Sequence, residues 1–446
     1  MPSISRRRIL AAIAASGAVG GSGAADEACV GRGDPNGGVV WSRTYGEDAD
    51  VELADAVVRS DGYALAGAGP DDRGWLRRID GDGAEHWHRE YGADGDRSVE
   101  ALTASDGGYV LAGAAEGYER QFVTRTDADG REEWTETVEV AGYPAFVAAG
   151  SDGSIALGVT ERRWSQSSER WSLHLSAIGP DGDVRERRSF DGYENRRVEA
   201  GLATGDGVLV AGEDDTDDRD DGWLWEVAVD GGIEVERTAT FDREIVAIDR
   251  HEDGAVVIAG TNQTWLARLD SEWNVEWERS EFDGAVEIND VTAVPDGVLA
   301  AGYLWAGCAR KPWAFRTDPA GTESWAASDE EPANRRWQSA LPAGDGERVV
   351  AAGTDYEDND AVLSLVEEPE PNESEPSTTA TTAVGTSTGV TTNGTETSDD
   401  TETGDDPATT TEDESTAGTL NGFGLGAAVA ALTAAAGYRA RRNRRD

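Results

Sequence analysis

The sequence has very little lysine, histidine and cysteine, and these shortages exclude several classes of function. Lysine occurs once, at Lys311, although Lys and Arg together number 39 and the acidic residues number 88. The resulting formal net charge of −49 excludes the basic footprint that phosphate binding needs, so nucleic acid is not expected as a partner. Nucleophile elbows, Walker loops and dinucleotide fingerprints are also missing. The motifs therefore favour a non-catalytic protein over an enzyme.

What the sequence does contain is a repeat. Seven short strand-like segments open on Asp-Gly and close on Gly, at a period of roughly 45 residues, which indicates repeated supersecondary units. These segments are residues 61–67, 106–113, 152–158, 206–212, 253–260, 296–302 and 345–353. Amphipathic helical periodicity is absent between residues 38 and 367. The pattern predicts an all-β repeat protein of the propeller type.

A second landmark follows in most repeats: an aromatic-led apolar run, an acidic turn containing Gly, and then a Trp. Asp and Gly tolerate the backbone conformations of tight hairpin turns, so each landmark joins two antiparallel strands and each repeat contains four strands. In the second repeat the expected strands are residues 98–104, 109–114, 121–126 and 132–138. Small Ala and Gly residues are expected toward the central channel, with Trp and Leu in the wider outer layers.

The ends of the array predict a closed ring. The last repeat supplies strands at 349–353 and 361–366, but no Trp strand follows them. Residues 39–45 precede the first landmark and resemble residues 85–91, which close the next unit. An N-terminal strand that completes the C-terminal blade would remove the open sheet edges. The predicted fold is a seven-bladed β-propeller over residues 39–367, with four antiparallel strands per blade.

The charge distribution resembles that of proteins from extreme halophiles, in which acidic surfaces accompany Arg in place of Lys. So many carboxylates would repel one another strongly at low salt. At molar salt the Debye length is only about 3 Å, and the repulsion is screened. The resemblance implies a haloarchaeal type of habitat.

The N-terminus resembles an export signal. Arg6 and Arg7 precede a short apolar run, as in twin-arginine signals, so residues 1–25 are interpreted as a signal peptide and residues 26–38 as an N-terminal arm. Near the other end, residues 368–418 consist mainly of Thr, Ser, Glu and Asp. Such a segment cannot bury enough apolar surface to fold, and it is expected to form a disordered stalk.

Residues 419–446 resemble the PGF-CTERM sorting signal of haloarchaea. Gly422 and Phe423 open an apolar run of roughly 16 residues, slightly short of the about 20 of a spanning helix, and an Arg cluster follows. The resemblance implies cleavage by an archaeosortase and a lipid anchor, although Asn421 stands where the motif has Pro. Without cleavage, the same run would serve as a conventional membrane anchor. Either outcome places the protein at the outer face of the cell membrane, with the export machinery as a partner.

Covalent modification has two candidate types of site. Cys29 and Cys308 are the two cysteines, and in an exported protein they either form a disulfide or remain two free thiols. Asn262, Asn372 and Asn393 match the N-glycosylation pattern alone.

No cofactor is predicted, although Ca²⁺ or Mg²⁺ binding at the acidic segments remains an alternative. The acidic turns at 80–83 and 127–130 and the run at 214–221 carry enough oxygen ligands for Ca²⁺ or Mg²⁺. They lack the twelve-residue EF-hand pattern, and we interpret them as solvated loops. The four histidines lack metal-ligand spacing and are interpreted as surface or packing residues. They are His86, His88, His174 and His251.

The recurring order of apolar strand, Asp, Gly and Trp, as in residues 126–134, resembles the Trp-docking repeat of pyrroloquinoline-quinone-type propellers. That superfamily includes quinone dehydrogenases and non-catalytic assembly scaffolds. The dehydrogenases carry an adjacent Cys pair over the quinone, which this sequence lacks. The resemblance therefore implies a scaffold, and no quinone is expected.

The predicted function is a binding scaffold that recognises an envelope protein, a glycan or a small solute at one mouth of the ring. Longer insertions at 161–170, 213–222 and 305–312 mark the candidate rim. The side chains there that most resemble interface anchors are Trp164, Tyr303, Trp305 and Arg310, with blade packing as the alternative role for the tryptophans.

Two other functions stay open on the sequence. An extracellular hydrolase or lyase would bring several carboxylates with perturbed pKa values together in the channel, whereas a binding module would have small or uncharged channel residues and an aromatic rim. A purely structural envelope component would have closed ring mouths.

Overall fold

A computed structural model of the chain describes sixteen stretches of residues. They are 38–46, 51–70, 73–92, 97–164, 169–190, 196–205, 207–216, 219–229, 232–260, 264–280, 282, 285–306, 309–329, 335–344, 348–356 and 360–368. All belong to one compact unit, Met1–Glu370, and a second unit, Pro371–Asp446, lies outside the described residues. The expected signal peptide, most of the arm and stalk, and the sorting tail also lie outside them. So do Arg6, Arg7, Cys29, Asn262, Cys308, Asn372, Asn393, Gly422 and Phe423.

The described residues form 28 strands in seven four-stranded antiparallel sheets, each one blade of a β-propeller. Strand β1 (Val39–Tyr45) precedes the first blade. Blade 1 contains β2 (Glu52–Arg59), β3 (Gly62–Ala68), β4 (Gly74–Asp80) and β5 (Glu85–Tyr91). Blade 2 contains β6 (Arg97–Ser105), β7 (Gly108–Ala115), β8 (Arg120–Asp127) and β9 (Glu132–Val138). Blade 3 contains β10 (Tyr143–Ala149), β11 (Ile155–Trp164), β12 (Glu169–Ile178) and β13 (Val184–Ser189).

The remaining blades repeat this order. Blade 4 contains β14 (Arg196–Ala203), β15 (Gly207–Thr216), β16 (Arg219–Ala228) and β17 (Glu234–Phe241). Blade 5 contains β18 (Ala247–Arg250), β19 (Val256–Gly260), β20 (Trp265–Leu269) and β21 (Val275–Arg279). Blade 6 contains β22 (Ala285–Val294), β23 (Gly297–Ala306), β24 (Ala309–Thr317) and β25 (Glu323–Ser328). Blade 7 contains β26 (Arg335–Pro342), β27 (Val349–Asp355) and β28 (Asp360–Val366), together with β1.

The seven-bladed ring closes as the sequence predicts. Strand β1 pairs antiparallel with β28, with Trp41 opposite Leu365 and Thr44 opposite Val362. Next to this pair, the backbone N–H of Glu367 donates to the carbonyl of Gly38 at 2.9 Å. The strands expected for the second repeat also agree with β6 to β9 to within one residue at each end. The described part of the chain includes one complete 3-10 turn, Glu116–Tyr118, and no helix there is long and apolar enough to span a membrane.

The hydrophobic core is divided into seven layers, and each layer lies between two neighbouring blades. The second strands are therefore buried on both faces over most of their length, which explains why they carry runs of apolar or small residues instead of alternating with polar ones. Strand β7, for example, is buried along its whole length except at Ala115.

The recurring Gly at the end of each second strand is explained by the close approach of the first strand. Six first strands shift register at the same point, for example between Val99 and Ala101. In six blades a backbone carbonyl of the first strand lies where a Cβ would stand on the adjacent strand, so only Gly fits. In blade 3 the ring of Phe146 takes that place against Gly158. The Gly and carbonyl pairs are Gly67 with Glu52, Gly113 with Ser98, Gly212 with Arg197, Gly260 with Glu244, Gly302 with Glu287 and Gly353 with Arg336.

The outer Trp residues hold neighbouring blades together. Trp87 in blade 1 lies over Gly130 in the acidic turn of blade 2, where a Cβ would be 2.6 Å from the ring. The indole of Trp134 donates to the carbonyl of Pro180 in the next blade at 3.1 Å, and Trp277 donates to Pro319 at 3.0 Å. These contacts fit the Trp-docking pattern in the sequence.

The leading Asp of each acidic turn caps the turn. One carboxylate oxygen of Asp127 accepts the backbone N–H groups of Asp129 at 2.9 Å and Arg131 at 2.8 Å, and these bonds lower the pKa of Asp127. Asp80, Asp270 and Asp318 make the same pair of bonds. The acidic turns are thus hairpin caps. No group of three or more His, Cys, Asp or Glu side chains within the described stretches is placed to hold a metal ion.

Candidate functional site

The first strands of the blades line a central channel with a volume of about 370 Å³. Small residues such as Ala54 and Ala145 contribute to its wall, as the sequence predicts. The wall also carries five carboxylates and one amide, which the sequence pattern did not reveal. They are Asp55, Glu100, Glu199, Asp249, Asp290 and Asn289.

Several of these polar side chains tie adjacent blades together. Asp55 accepts the backbone N–H of Leu102 at 3.0 Å, and Asp249 accepts that of Ala293 at 2.8 Å. Asp290 accepts the N–H of Ala340 at 3.0 Å in the same way. Each bond links the first strand of one blade to the first strand of the next. At least three channel carboxylates therefore connect blades.

Asp249 makes the stability of the ring dependent on pH. Burial raises the pKa of this half-buried carboxyl from 3.8 to about 6, although the N–H groups of Ala293 and Arg250 counteract the rise. The folded state therefore binds a proton that the unfolded state has already lost between about pH 4 and pH 6. We expect this group to lower the free energy of unfolding by at most about 3 kcal/mol as the pH rises through that window. Denaturant titrations at pH 4 to 7 measure the effect.

The Asp249→Asn variant provides the test, because Asn still accepts the N–H of Ala293 but does not titrate. We expect the variant to gain stability relative to the wild type as the pH rises from 4 to 7. Asp127→Asn is the control, since the pKa of Asp127 is lowered and its contribution to stability is lost only as the pH falls below about 4; its difference from the wild type should stay nearly constant between pH 5 and pH 7. Equal pH slopes for Asp249→Asn and the wild type would disprove the assignment.

Three long hairpins extend from one face of the ring, which we call the hairpin face. They join the second and third strands of blades 3, 4 and 6, and antiparallel order places all such hairpins on the same face. The segments expected to be loop insertions are largely paired strands, because β11 and β12 pair as far as Trp164 and Glu169. The pairing of β23 with β24 reaches Ala306 and Ala309. The ladders stiffen these hairpins and fix the direction of their side chains.

On the hairpin of blade 6, three of the predicted anchor residues come together. The rings of Tyr303 and Trp305 meet edge to face at 5.9 Å, and the guanidinium of Arg310 lies 5.3 Å and 4.5 Å from their respective centres. Trp164 belongs to the hairpin of blade 3, and its side chain lies outside the described part of the structure. Tyr303, Trp305 and Arg310, with Glu287 and Arg336 beside them, are called the hairpin patch below.

Glu287 fixes the orientation of both aromatic rings. Its carboxylate accepts the O–H of Tyr303, and its other oxygen accepts the indole N–H of Trp305 at 3.3 Å. Burial and the adjacent negative charge of Glu287 raise the pKa of Tyr303, so its hydroxyl stays protonated and donates. Arg336 covers the Tyr303 ring at 4.9 Å. Tyr303 is buried, whereas 37% of Trp305 is exposed.

The charge of Arg310 is not neutralised within the described residues. Its described contacts are the two aromatic rings, and its buried Nε has no hydrogen-bond partner among the described atoms. Other arginines on the same face are paired, such as Arg196 with Asp214 at 2.9 Å and Arg335 with Asp355 at 2.7 Å. The patch therefore combines an exposed indole with a cation that has no carboxylate partner among the described residues.

The sequence did not indicate Glu287 or Arg336 as members of the site. Both precede the bulge of a first strand, at the repeat position occupied by Glu52, Ser98 and Arg197 in other blades. This position varies from blade to blade and is mostly charged. Aligning the repeats on the Gly of the second strand would have indicated it.

A separate polar chain lies in blade 3. Buried His174 contacts Ser189 through Nδ1 at 2.7 Å and Glu161 through Nε2 at 3.0 Å. Arg163 pairs with the same carboxylate at 2.7 Å, and its side-chain hydrogen bond together with that of His174 outweighs burial and lowers the pKa of Glu161. The three strands β11, β12 and β13 are thereby connected at the base of a long hairpin. This geometry is that of a cross-strand polar ladder.

No protein-family model matches the sequence, and no curated protein is significantly similar to it. Among solved structures, Sqt1 from Chaetomium thermophilum is similar at 13% identity and a TM-score of 0.43, covering 75% of this chain and 99% of that one. The structure of Chaetomium thermophilum Sqt1 bound to the N-terminus of ribosomal protein L10 has 12% sequence identity and a TM-score of 0.45, and the match covers 74% of this chain and 100% of that one. An uncharacterized protein from Listeria monocytogenes EGD-e has 11% sequence identity and a TM-score of 0.43, and the match covers 72% of this chain and 96% of that one. Likenesses at this level carry no argument about what the present chain binds.

Proposed function

We propose that this protein is a non-catalytic binding scaffold whose hairpin face recognises a protein, a glycan or a small solute. The observation that carries the proposal is the hairpin patch, where Trp305 is exposed next to Arg310 and buried Tyr303. Trp, Tyr and Arg are the residues that most often dominate binding energy in interfaces. The paired strands of the hairpin and the bonds to Glu287 hold these side chains in place before a partner arrives, which reduces the entropy lost on binding.

The proposal includes export and attachment at the cell surface. It is supported by the paired Arg6 and Arg7 before an apolar run, by the stalk-like composition of residues 368–418 and by the apolar run that follows Gly422 and Phe423. An archaeosortase is the proposed processing partner. The strongly acidic composition supports a function at high salt, where repulsion within the ring is screened.

The test is a native pull-down from detergent-solubilised envelopes in molar salt, with the full chain as bait. We expect specific recovery of an envelope protein or glycan that is lost when Trp305 and Arg310 are both replaced by Ala. The matched control is Arg89→Ala, which removes an arginine stacked on Trp87 at 5.4 Å but on an outer strand. Equal recovery by the patch variant and the wild type would contradict the proposal. Recovery of nothing by a folded bait would favour a structural envelope component instead.

One observation favours a second function, a hydrolase or lyase that uses the channel. Carboxylates from several blades do converge there, and the pKa of Asp249 is raised. Glu100 and Glu199 lie on separate first strands of the same wall and are the residues to test. Hydrolysis or elimination of an extracellular glycan by the wild type, lost in Glu100→Gln or Glu199→Gln but kept in Trp305→Ala, would establish the enzyme in place of the scaffold.

A further inference from the structure

The exposed part of Trp305 defines the first requirement for a ligand. One side of the indole is covered by Arg310 at 4.5 Å, its edge meets Tyr303, and its N–H is bonded to Glu287. The 37% of the residue that remains exposed therefore belongs to a ring that cannot easily rotate. A fixed, flat and apolar surface of this kind suits a ligand with a rigid apolar face.

Arg310 defines the second requirement. Its guanidinium has no carboxylate partner among the described residues, in a chain with 88 acidic residues and only 39 basic ones. A guanidinium held by two rings is already oriented, so an external carboxylate or sulfate would gain a charge-assisted hydrogen bond without an ordering cost. The ligand is therefore expected to carry an anionic group next to its apolar face.

Glu287 defines the third requirement and limits the charge of the ligand. Its two oxygens accept one described hydrogen bond each, and every carboxylate oxygen has a second acceptor site. It can therefore accept a hydroxyl of the ligand. A ligand with several negative charges, such as an acidic peptide, would meet repulsion from Glu287 and from the acidic ring.

From these three requirements we propose that the hairpin patch binds a pyranose residue that carries one carboxylate or sulfate group, within an acidic glycan. The C–H face of the sugar stacks on Trp305, the anionic group bonds to Arg310, and a neighbouring hydroxyl donates to Glu287. This proposal rests on the proposed binding function and specifies its ligand.

The charge of the protein gives the binding an unusual salt dependence. At low salt the field of a chain with a net charge of −49 repels an anionic sugar over long distances. At molar salt this repulsion is screened over about 3 Å, whereas the contact with the stacked Arg310 is partly retained. Affinity for the acidic sugar is therefore expected to rise between about 0.3 M and 2 M salt. An ordinary exposed ion pair would weaken over the same range.

The experiment is calorimetric titration of the full chain in 2 M KCl with three defined probes. They are an oligosaccharide ending in glucuronate, the same oligosaccharide ending in a 6-sulfated glucose, and the neutral glucose-ended analogue. We expect at least one acidic probe to bind about tenfold more tightly than the neutral one. The two acidic arms distinguish a carboxylate from a sulfate as the recognised group.

Three variants separate the contributions. Arg310→Gln is expected to remove the about tenfold preference for the acidic probe, so that the acidic and neutral probes bind about equally tightly. Trp305→Ala is expected to weaken binding of all probes about tenfold or more. Arg89→Gln, the matched control on an outer strand, is expected to change nothing. Near-UV circular dichroism and the melting temperature verify that each variant is folded.

The outcomes distinguish this proposal from the broader one. Equal affinity for acidic and neutral probes, or an unchanged preference in Arg310→Gln, would overturn the sugar assignment. If none of the sugars binds while the envelope pull-down still depends on Trp305 and Arg310, the scaffold function stands and the sugar proposal fails. If neither assay depends on these residues, both fail.

Discussion

Deletion of residues 38–46, which contain strand β1, is expected to remove most of the stability of the ring. The strand pairs with β28 along its length and completes blade 7. It also reaches blade 1, because the hydroxyl of Tyr45 donates to the carbonyl of Gly83 at 2.7 Å and Trp41 packs against the same turn. Its loss exposes the edge of β28 and opens the seam between the first and last blades. A domain is held folded by only about 5–15 kcal/mol, so a loss of several kcal/mol is decisive.

Thermal and denaturant unfolding in molar salt measure this effect, with the wild type as reference. We expect the deletion variant to melt at a temperature lower by about 10 °C or more, which corresponds to a loss of about 7 kcal/mol in a domain of this size. A synthetic peptide with the sequence of residues 38–46 should restore part of the loss, whereas a scrambled peptide should not. An unchanged melting temperature would show that β1 does not close the ring.

The fold could be predicted from the sequence because its determinants are local and repeated. Each blade contains its own turn signals, and the Asp-Gly turns, the capped acidic turns and the Gly positions recur with them. The ring closure was predictable because β1 lacked a blade of its own and the last repeat lacked a strand. These features can be recognised from residues that are neighbours in the sequence, or from a comparison of the two ends of the repeat array.

Contacts between blades could not be predicted in the same way. Asp55 and Leu102 are 47 residues apart, and Asp249 and Ala293 are 44 apart. Which carboxylate faces the channel depends on the bulge in the first strand, since one extra residue reverses the side on which a side chain lies. In a chain with so many carboxylates, composition gives no means of selecting these. The channel wall therefore required the structure.

The junction between blades 4 and 5 shows how such a contact can be reversed. In most acidic turns a Gly with positive φ receives the Trp of the preceding blade, but blade 5 has Trp273 at that position, with φ of 63°. The preceding outer strand supplies Arg237, which stacks on Trp273 at 4.1 Å and donates to Ser271 at 3.0 Å. The aromatic ring and its partner have exchanged blades. An alignment of the repeats by position would therefore show the outer strand of blade 4 as lacking its Trp.

The candidate site could be predicted from the sequence only in part. Tyr303, Trp305 and Arg310 alternate with other residues on paired strands near one hairpin, so their proximity followed from local reasoning. Their partners Glu287 and Arg336 come from the first strands of blades 6 and 7. The sequence thus indicated the aromatic part of the hairpin patch. The place of Glu287 depends on the register of β22 with β23, where it lies opposite Tyr303, and the place of Arg336 depends on how blade 7 packs against blade 6.

The second large effect is expected for Gly302→Ala. A Cβ on Gly302 would overlap the carbonyl oxygen of Glu287, which is fixed by the bulged strand β22, and the neighbouring backbone cannot move away without breaking the ladder. Overpacking in a rigid interior costs about 1–3 kcal/mol, and a clash with backbone belongs at or above the upper end. We expect a loss of about 3 kcal/mol or more in the free energy of unfolding.

Gly81→Ala is the matched control for the same chemical change. Gly81 lies in an exposed turn, and a Cβ there would meet no atom within 4 Å. Its free energy of unfolding should therefore change by less than about 0.5 kcal/mol, as is usual for surface substitutions. Comparable losses in the two variants would mean that Gly is needed for chain flexibility, not for the close approach of Glu287. If only Gly302→Ala is destabilised, the close approach of the first strand that carries Glu287 is the constraint that requires Gly at this position, as the same carbonyl contact does in five other blades.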